Sequence, residues 1–272
     1  MALPPVPSGA TTELTRTVLA PNPGPMTLEG TNSYLIGSGG SYPVVVDPGP
    51  DDERHLAALA AGAVELILIT HRHPDHTAGA ARLHQLTGAQ VRAADPAHCH
   101  GGGVVLGAER IVLDGLTIEV LPTPGHTHDS VSFVLPEDGP TGSVLTGDTI
   151  LGRGTTVIAH PDGNVADYLA SLDALEARGP AIVLPAHGPQ RADLAVLCRE
   201  YRQHRSQRLE QIRTVLARLG PLATVDQVVD AVYTDTPPAV RSAAMKSVAA
   251  QMQYLRDEEN GDSDRGGKRE YR

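Results

Sequence analysis

Tryptophan is absent from this chain of 272 residues, and phenylalanine occurs once, at Phe133. Hydrophobic residues still make up 40%, so a proper core is available, but it has to be aliphatic. The shortage of aromatics counts against a broad base-stacking surface for single-stranded nucleic acid. Cysteine is nearly absent too: Cys99 and Cys198 form no disulfide framework and fit a reducing compartment. Lysine occurs only at Lys246 and Lys268, a bias compatible with a GC-rich genome that bears on no function. No window approaches the ~20 apolar residues that span a bilayer. The first residues, MALPPVPSGATTEL, hold no apolar stretch of the length a secretory signal needs. These absences point to a soluble cytoplasmic protein.

What is present is glycine and proline in quantity, 28 and 22, and therefore many turns. The length suits one domain of about 200 residues with a small appendage. Residues 1–190 carry 20 acidic against 8 basic side chains, whereas residues 191–256 carry 6 against 10. An acidic body argues against strong non-specific nucleic-acid binding. The basic segment leaves local binding open, beside the plainer reading of a solvated arginine-rich helix face.

The first ~25 residues read as extended and proline-rich. Residues 33–36 and 43–46 read as strands, followed by a helix over 52–61, a buried strand over 64–70 and a helix near 78–87. Short strands are expected near 90–93, 110–113, 117–121, 131–135, 143–146 and 181–184, with a helix over 165–177. Strands in two groups with helices between them suggest two sheets with helices outside. After Pro189 the character changes. Helices are expected over 192–219, 225–233 and 237–257, the last with a Pro-Pro start. The expected organisation is a catalytic domain over 1–190, a helical, winged-helix-like unit over 191–258 with little room for wings, and a charged, disordered tail over 259–272.

The chemistry is concentrated in His71-Arg72-His73-Pro74-Asp75-His76, directly after the apolar strand. Three imidazoles and a carboxylate within six residues suit zinc. Pro74 turns the chain, so Asp75 and His76 can address a second ion. Further candidate ligands, His126, Asp148 and His187, each follow a predicted strand. Each has a glycine beside it, which lets the backbone turn tightly.

This pattern resembles the metallo-β-lactamase superfamily, whose signature is HxHxDH followed by single His, Asp and His ligands. The resemblance implies a four-layer αββα sandwich of the α+β class. It implies that His71, His73 and His126 hold a first zinc ion, that Asp75, His76 and His187 hold a second, and that Asp148 bridges both. The stretches NPGP at 22–25, LEGTNSYL at 28–35, TPGHTHDS at 123–130 and GDTILGRGTT at 147–156 are similar to the β-lactamase-like protein 2 family. Members of that family also carry C-terminal helices, and one branch is an endoribonuclease acting on single-stranded RNA.

A hydrolase of this kind uses a hydroxide shared by two zinc ions, and Asp75 is expected to orient it or take its proton. The best substrate expectation is a single-stranded RNA phosphodiester. The alternative is a thioester, ester or lactone, as in glyoxalase-II-like relatives. A non-enzymatic reading is a metal-bound protein that engages a partner through its C-terminal helices. Asp47 is either a turn residue or the partner of a ligand imidazole. By resemblance, Asn32 and Ser33 line the pocket. His98-Cys99-His100 reads as a mobile loop, and His55, His84 and His204 as solvated helix residues. His128 and Arg153 are candidates for substrate contact or plain surface residues, and His160 for reaching a pocket.

Overall fold

Strand alternation decides which layers form. In the computed structural model, residues 8–266 are described, apart from Val105, Asp114, Pro221 and residues 235–237. Six strands make the first sheet in chain order: β1 (Ser8–Ala10), β2 (Thr15–Leu19), β3 (Asn32–Ser38), β4 (Ser41–Val46), β5 (Leu66–Leu68) and β6 (Gln90–Arg92). Pairing is antiparallel from β1 to β4 and parallel from β4 to β6. The second sheet runs β11-β10-β9-β8-β7, from β7 (Arg110–Leu113), β8 (Leu116–Pro122), β9 (Val131–Leu135), β10 (Ser143–Gly147) and β11 (Ile182–Pro185).

Successive side chains point to opposite faces of a strand. Val44 and Val46 therefore enter the space between the sheets, against Phe133, Leu145 and Leu184. Val45 faces the other way and packs with Leu56 of α1 (Glu53–Leu59) and Leu83 of α3 (Ala80–Thr87). Across the sandwich, Val144 and Val183 turn outward onto α4 (Val165–Glu176) and α5 (Leu194–Leu219). The result is the expected αββα sandwich, with an aliphatic core.

The C-terminal region is helical: α5, α6 (Val225–Val232) and α7 (Pro238–Gly266). Asp193 caps α5, and a reciprocal Thr224–Gln227 capping box starts α6. Leu209, Ile212, Val228, Val248 and Leu255 share one apolar core with Leu172 of α4 and Val183 of the second sheet. Among the described residues no strand follows β11, so the region lacks the wings of a winged helix. No helix of the described residues is long and apolar enough to cross a membrane.

Two expectations are corrected. The N-terminal segment is not merely extended: β1 and β2 form a hairpin that pairs with β3. Thr15 and Val18 are buried, a pattern too short to stand out beside a run of prolines. Residues 259–266 continue α7 instead of forming a structureless tail, since extending an existing helix costs far less than starting one. Residues 267–272, the rest of that expected tail, lie outside the described residues.

Candidate metal centre

The seven predicted ligands come together at one edge of the sandwich. His71 stands three residues past β5. His73 is the N-cap of a short turn of helix, α2 (Pro74–Thr77), which carries Asp75 and His76. His126 lies between β8 and β9, Asp148 directly after β10, and His187 two residues after β11. Their donor atoms form two groups, His71, His73, His126 and Asp148 in one and Asp75, His76 and His187 in the other, with all atoms of a group within 4.8 Å of one another.

In the first group, His73 Nδ1 lies 3.0 Å from both His71 Nε2 and His126 Nε2. Asp148 divides its oxygens between the groups. Oδ2 is 3.5 Å from His126 Nε2, while Oδ1 is 3.4 Å from His187 Nε2 and 3.7 Å from His76 Nε2. Asp75 Oδ2 closes the second group at 3.1 Å from His187 Nε2 and 3.4 Å from His76 Nε2.

In four of the five imidazoles the other ring nitrogen is tied down, which fixes which nitrogen is free. His76 Nδ1 donates to Asp47 Oδ2 at 2.8 Å, His126 Nδ1 to the Val157 carbonyl at 2.6 Å, and His187 Nδ1 to the Gly30 carbonyl at 3.1 Å. His71 Nδ1 lies 3.1 Å from Thr70 Oγ1, which in turn donates to Asp47 Oδ2. Asp47 is buried, takes a left-handed conformation at φ 51° that aspartate tolerates better than most residues, and also accepts from the Thr70 amide. Its two readings from sequence meet here: Asp47 turns the chain and partners the imidazole of His76, a candidate ligand.

Glycine is required beside two ligands. At Gly125, φ is +135° and a Cβ would lie 2.4 Å from Tyr168 Cα; at Gly147, φ is +50° and a Cβ would meet Thr70 at 2.8 Å.

Burial and the crowding of His76, His126 and His73 push the His71 imidazole well below its usual range, and burial with His126 pushes His73 down to about 4. The second group shifts the opposite way. Burial opposes protonation of His76 and His187, but the carboxylates of Asp47 and Asp148 respectively prevail and raise both. Burial also opposes ionisation of Asp75, yet His187 and His76 hold its carboxyl far below the usual range. His76 Nε2, His187 Nε2 and Asp148 Oδ1 are buried without a hydrogen-bond partner. Each such atom costs about 1–3 kcal/mol if left unpaired. Converging lone pairs of imidazole and carboxylate fit divalent cations, and Asp148 faces both groups.

Residues 26–187 match the family model described as the metallo-beta-lactamase superfamily. The chain belongs to the metallo-β-lactamase superfamily. A β-lactamase-like protein 2 homologue of Caenorhabditis elegans is 33% identical over 88% of this chain and 82% of its own length. An atrochrysone carboxyl ACP thioesterase of Aspergillus chevalieri is 34% identical over 84% of this chain and 76% of its own. A metallo-β-lactamase family protein of Thermus thermophilus has the same fold, with a TM-score of 0.75 at 23% identity over 92% of this chain and 95% of that one.

Around this metallo-β-lactamase centre, other residues fall differently from expectation. Asn32 and Ser33 support the ligands from behind. Asn32 Nδ2 donates to the carbonyls of Pro185 and Gly188, flanking His187, at 2.9 and 2.8 Å. Ser33 Oγ donates to the Asp47 carbonyl and lies 2.8 Å from His55 Nε2. His55 is fully buried there, not solvated. Burial pushes its pKa down to about 4, against a smaller opposing pull from Asp52. His98-Cys99-His100 joins neither ligand group. His128, at the surface, lies 2.5 Å from Asp162, and His160 lines a separate cleft beside Arg213 and Tyr254.

Sequence reasoning missed a clamp from α5. Tyr201 Oη accepts from the Leu151 amide at 2.9 Å and donates to the Gly154 carbonyl at 3.0 Å. The buried Arg205 guanidinium donates to the Thr156 carbonyl and lies over the Tyr168 ring. Both hold residues 151–157, the segment whose Thr156 and Val157 fix His126. Nothing local in the sequence marks a contact across about 50 residues. Between this segment, residues 25–28 and α5–α7 lies a cavity of about 610 Å³ that reaches His126 and Asp148.

Proposed function

We propose that this chain is a dinuclear zinc hydrolase of an acyl thioester or ester. The observation that carries the reading is the cavity beside His126 and Asp148, part of whose wall is aliphatic, with Met26, Leu28, Leu151, Val157, Val240 and Ala244 among its residues. That aliphatic part suits an acyl group. Residues 191–258 then serve as the far wall of the substrate site. The resemblance to a protein named as an ACP thioesterase supports the same class of bond.

His71, His73 and His126 would hold one cation, Asp75, His76 and His187 the other, with Asp148 between them. When bound, the cations supply Lewis acidity toward a carbonyl oxygen and acidify water to near neutral pH. The protein's own part is orientation and proton handling. Asp47, Val157 and Gly30 keep the ligand imidazoles in one tautomer. Asp75, 27% exposed where Asp148 is 12%, is the carboxylate placed to orient the attacking water by accepting its hydrogen bond.

RNA cleavage, the first expectation from sequence, finds less support in the cavity. Tyr233 is the one tyrosine among the residues that line it, and no phenylalanine joins it there. Arg205 is already engaged with Thr156 and Tyr168. The test is zinc-loaded protein assayed against acyl thioesters of N-acetylcysteamine and, in parallel, labelled single-stranded RNA, with Asp75→Ala as control. Thioester turnover that disappears in the variant is the expected result. RNA cleavage that disappears in the variant, with no thioester turnover, would overturn the reading in favour of a nuclease.

A further inference from the structure

The cavity is not uniformly apolar. His204 and Arg208 stand one turn apart on the same face of α5 and both line it. The other two arginines in its wall are already occupied: Arg153 pairs with Glu29 at 2.6 Å, and Arg205 holds Thr156. Arg208 has no carboxylate partner among the described residues. Its guanidinium lies over the Tyr233 ring, 4.6 Å from the centroid, and donates one bond to the neutral Gln211 Oε1 at 2.9 Å. Stacking fixes the plane of the fork and leaves in-plane N–H groups for an acceptor. His204 is half-buried, and its Nδ1 faces away from solvent with no hydrogen-bond partner. Burial and the neighbouring Arg205 and Arg208 lower its pKa, so it offers a neutral ring. Asp148, a member of the ligand cluster, is the one acidic residue among those lining the cavity.

Resting on the hydrolase reading, we infer that the cavity selects acyl groups that end in a carboxylate, received by Arg208 beside the neutral His204 ring. A planar guanidinium matches a carboxylate with two parallel N–H···O bonds. An ω-carboxyacyl chain gives that fork a charge-assisted partner, which a fatty acyl chain cannot.

The test uses the full-length, metal-loaded protein and two thioesters of N-acetylcysteamine with equal carbon count, pentanoyl and glutaryl. The expected kcat/KM ratio favours glutaryl by about tenfold or more, the size of a charge-assisted contact. Arg208→Gln should bring the ratio to near unity, Arg208→Lys should retain part of it, and His204→Leu should lower it less than Arg208→Gln. Circular dichroism and metal content of each variant should match wild type. Equal turnover of both thioesters by wild type would overturn this inference and leave the hydrolase reading standing. A preference that persists in a folded Arg208→Gln would overturn the role of Arg208. No turnover of either thioester would overturn both readings.

Discussion

The two halves of the ligand cluster share Asp148 but are held by different parts of the molecule. In the half with His71, His73 and His126, burial lowers the pKa of His71 and His73. Its His126 is fixed by the Val157 carbonyl and the Thr156 hydroxyl, on the segment that α5 clamps. The half with Asp75, His76 and His187 is rich in carboxylate, and its His76 is fixed by Asp47 from the first sheet. Through His126 one half leans on the C-terminal helices, whereas His76 leans directly on the N-terminal sheet, to which His71 is tied only through Thr70. Substitutions behind the ligands should separate the two cation affinities, whereas a substitution between the halves should not.

The largest effect is expected for Asp148→Ala, which removes an oxygen from both halves. Both cation affinities should fall by more than about 100-fold, and turnover should drop to background; equilibrium zinc titration reads the first and a thioester assay the second. Next is Asp47→Asn. His76 loses its carboxylate partner directly, while His71 feels the change only through Thr70. The second half should weaken by about 10–100-fold and the first by less, seen as two separated steps in the titration. Arg205→Met should reverse that order, weakening the half with His126 by about tenfold and leaving the other near wild type. An unchanged titration would mean that α5 does not position His126.

The smallest effect concerns His55. Its folded pKa of about 4 lies below the ordinary value of 6.5, so the unfolded chain binds the proton first as pH falls. Its contribution to stability is complete above about pH 6.5 and is lost as pH falls toward 4. His55→Gln should be less stable than wild type at pH 7, with the gap in melting temperature narrowing at pH 5. A constant gap would show that the ring does not resist protonation.

The candidate cluster was legible because its chemistry is local: an HxHxDH run after an apolar strand, and three later His or Asp residues, each beside a glycine that the backbone requires at Gly125 and Gly147. The sandwich was legible from the order of its strands and helices, whereas the run Val44 to Val46 hides in sequence that its side chains alternate between two cores. What escaped depends on distant partners. Asp47 reads equally as a turn residue until Thr70 and His76 meet its carboxylate. His55 looks solvated on an amphipathic helix until Ser33 lies against it. Tyr201 and Arg205 look like ordinary members of a long helix, and only tertiary packing sets them against residues 151–157.

The central claim is that seven side chains hold two cations on either side of Asp148. Anomalous diffraction from crystals of the zinc-loaded protein tests it most directly. Two peaks are expected, one among His71, His73 and His126 and one among Asp75, His76 and His187, each in contact with Asp148. A single peak, or peaks away from Asp148, would contradict it.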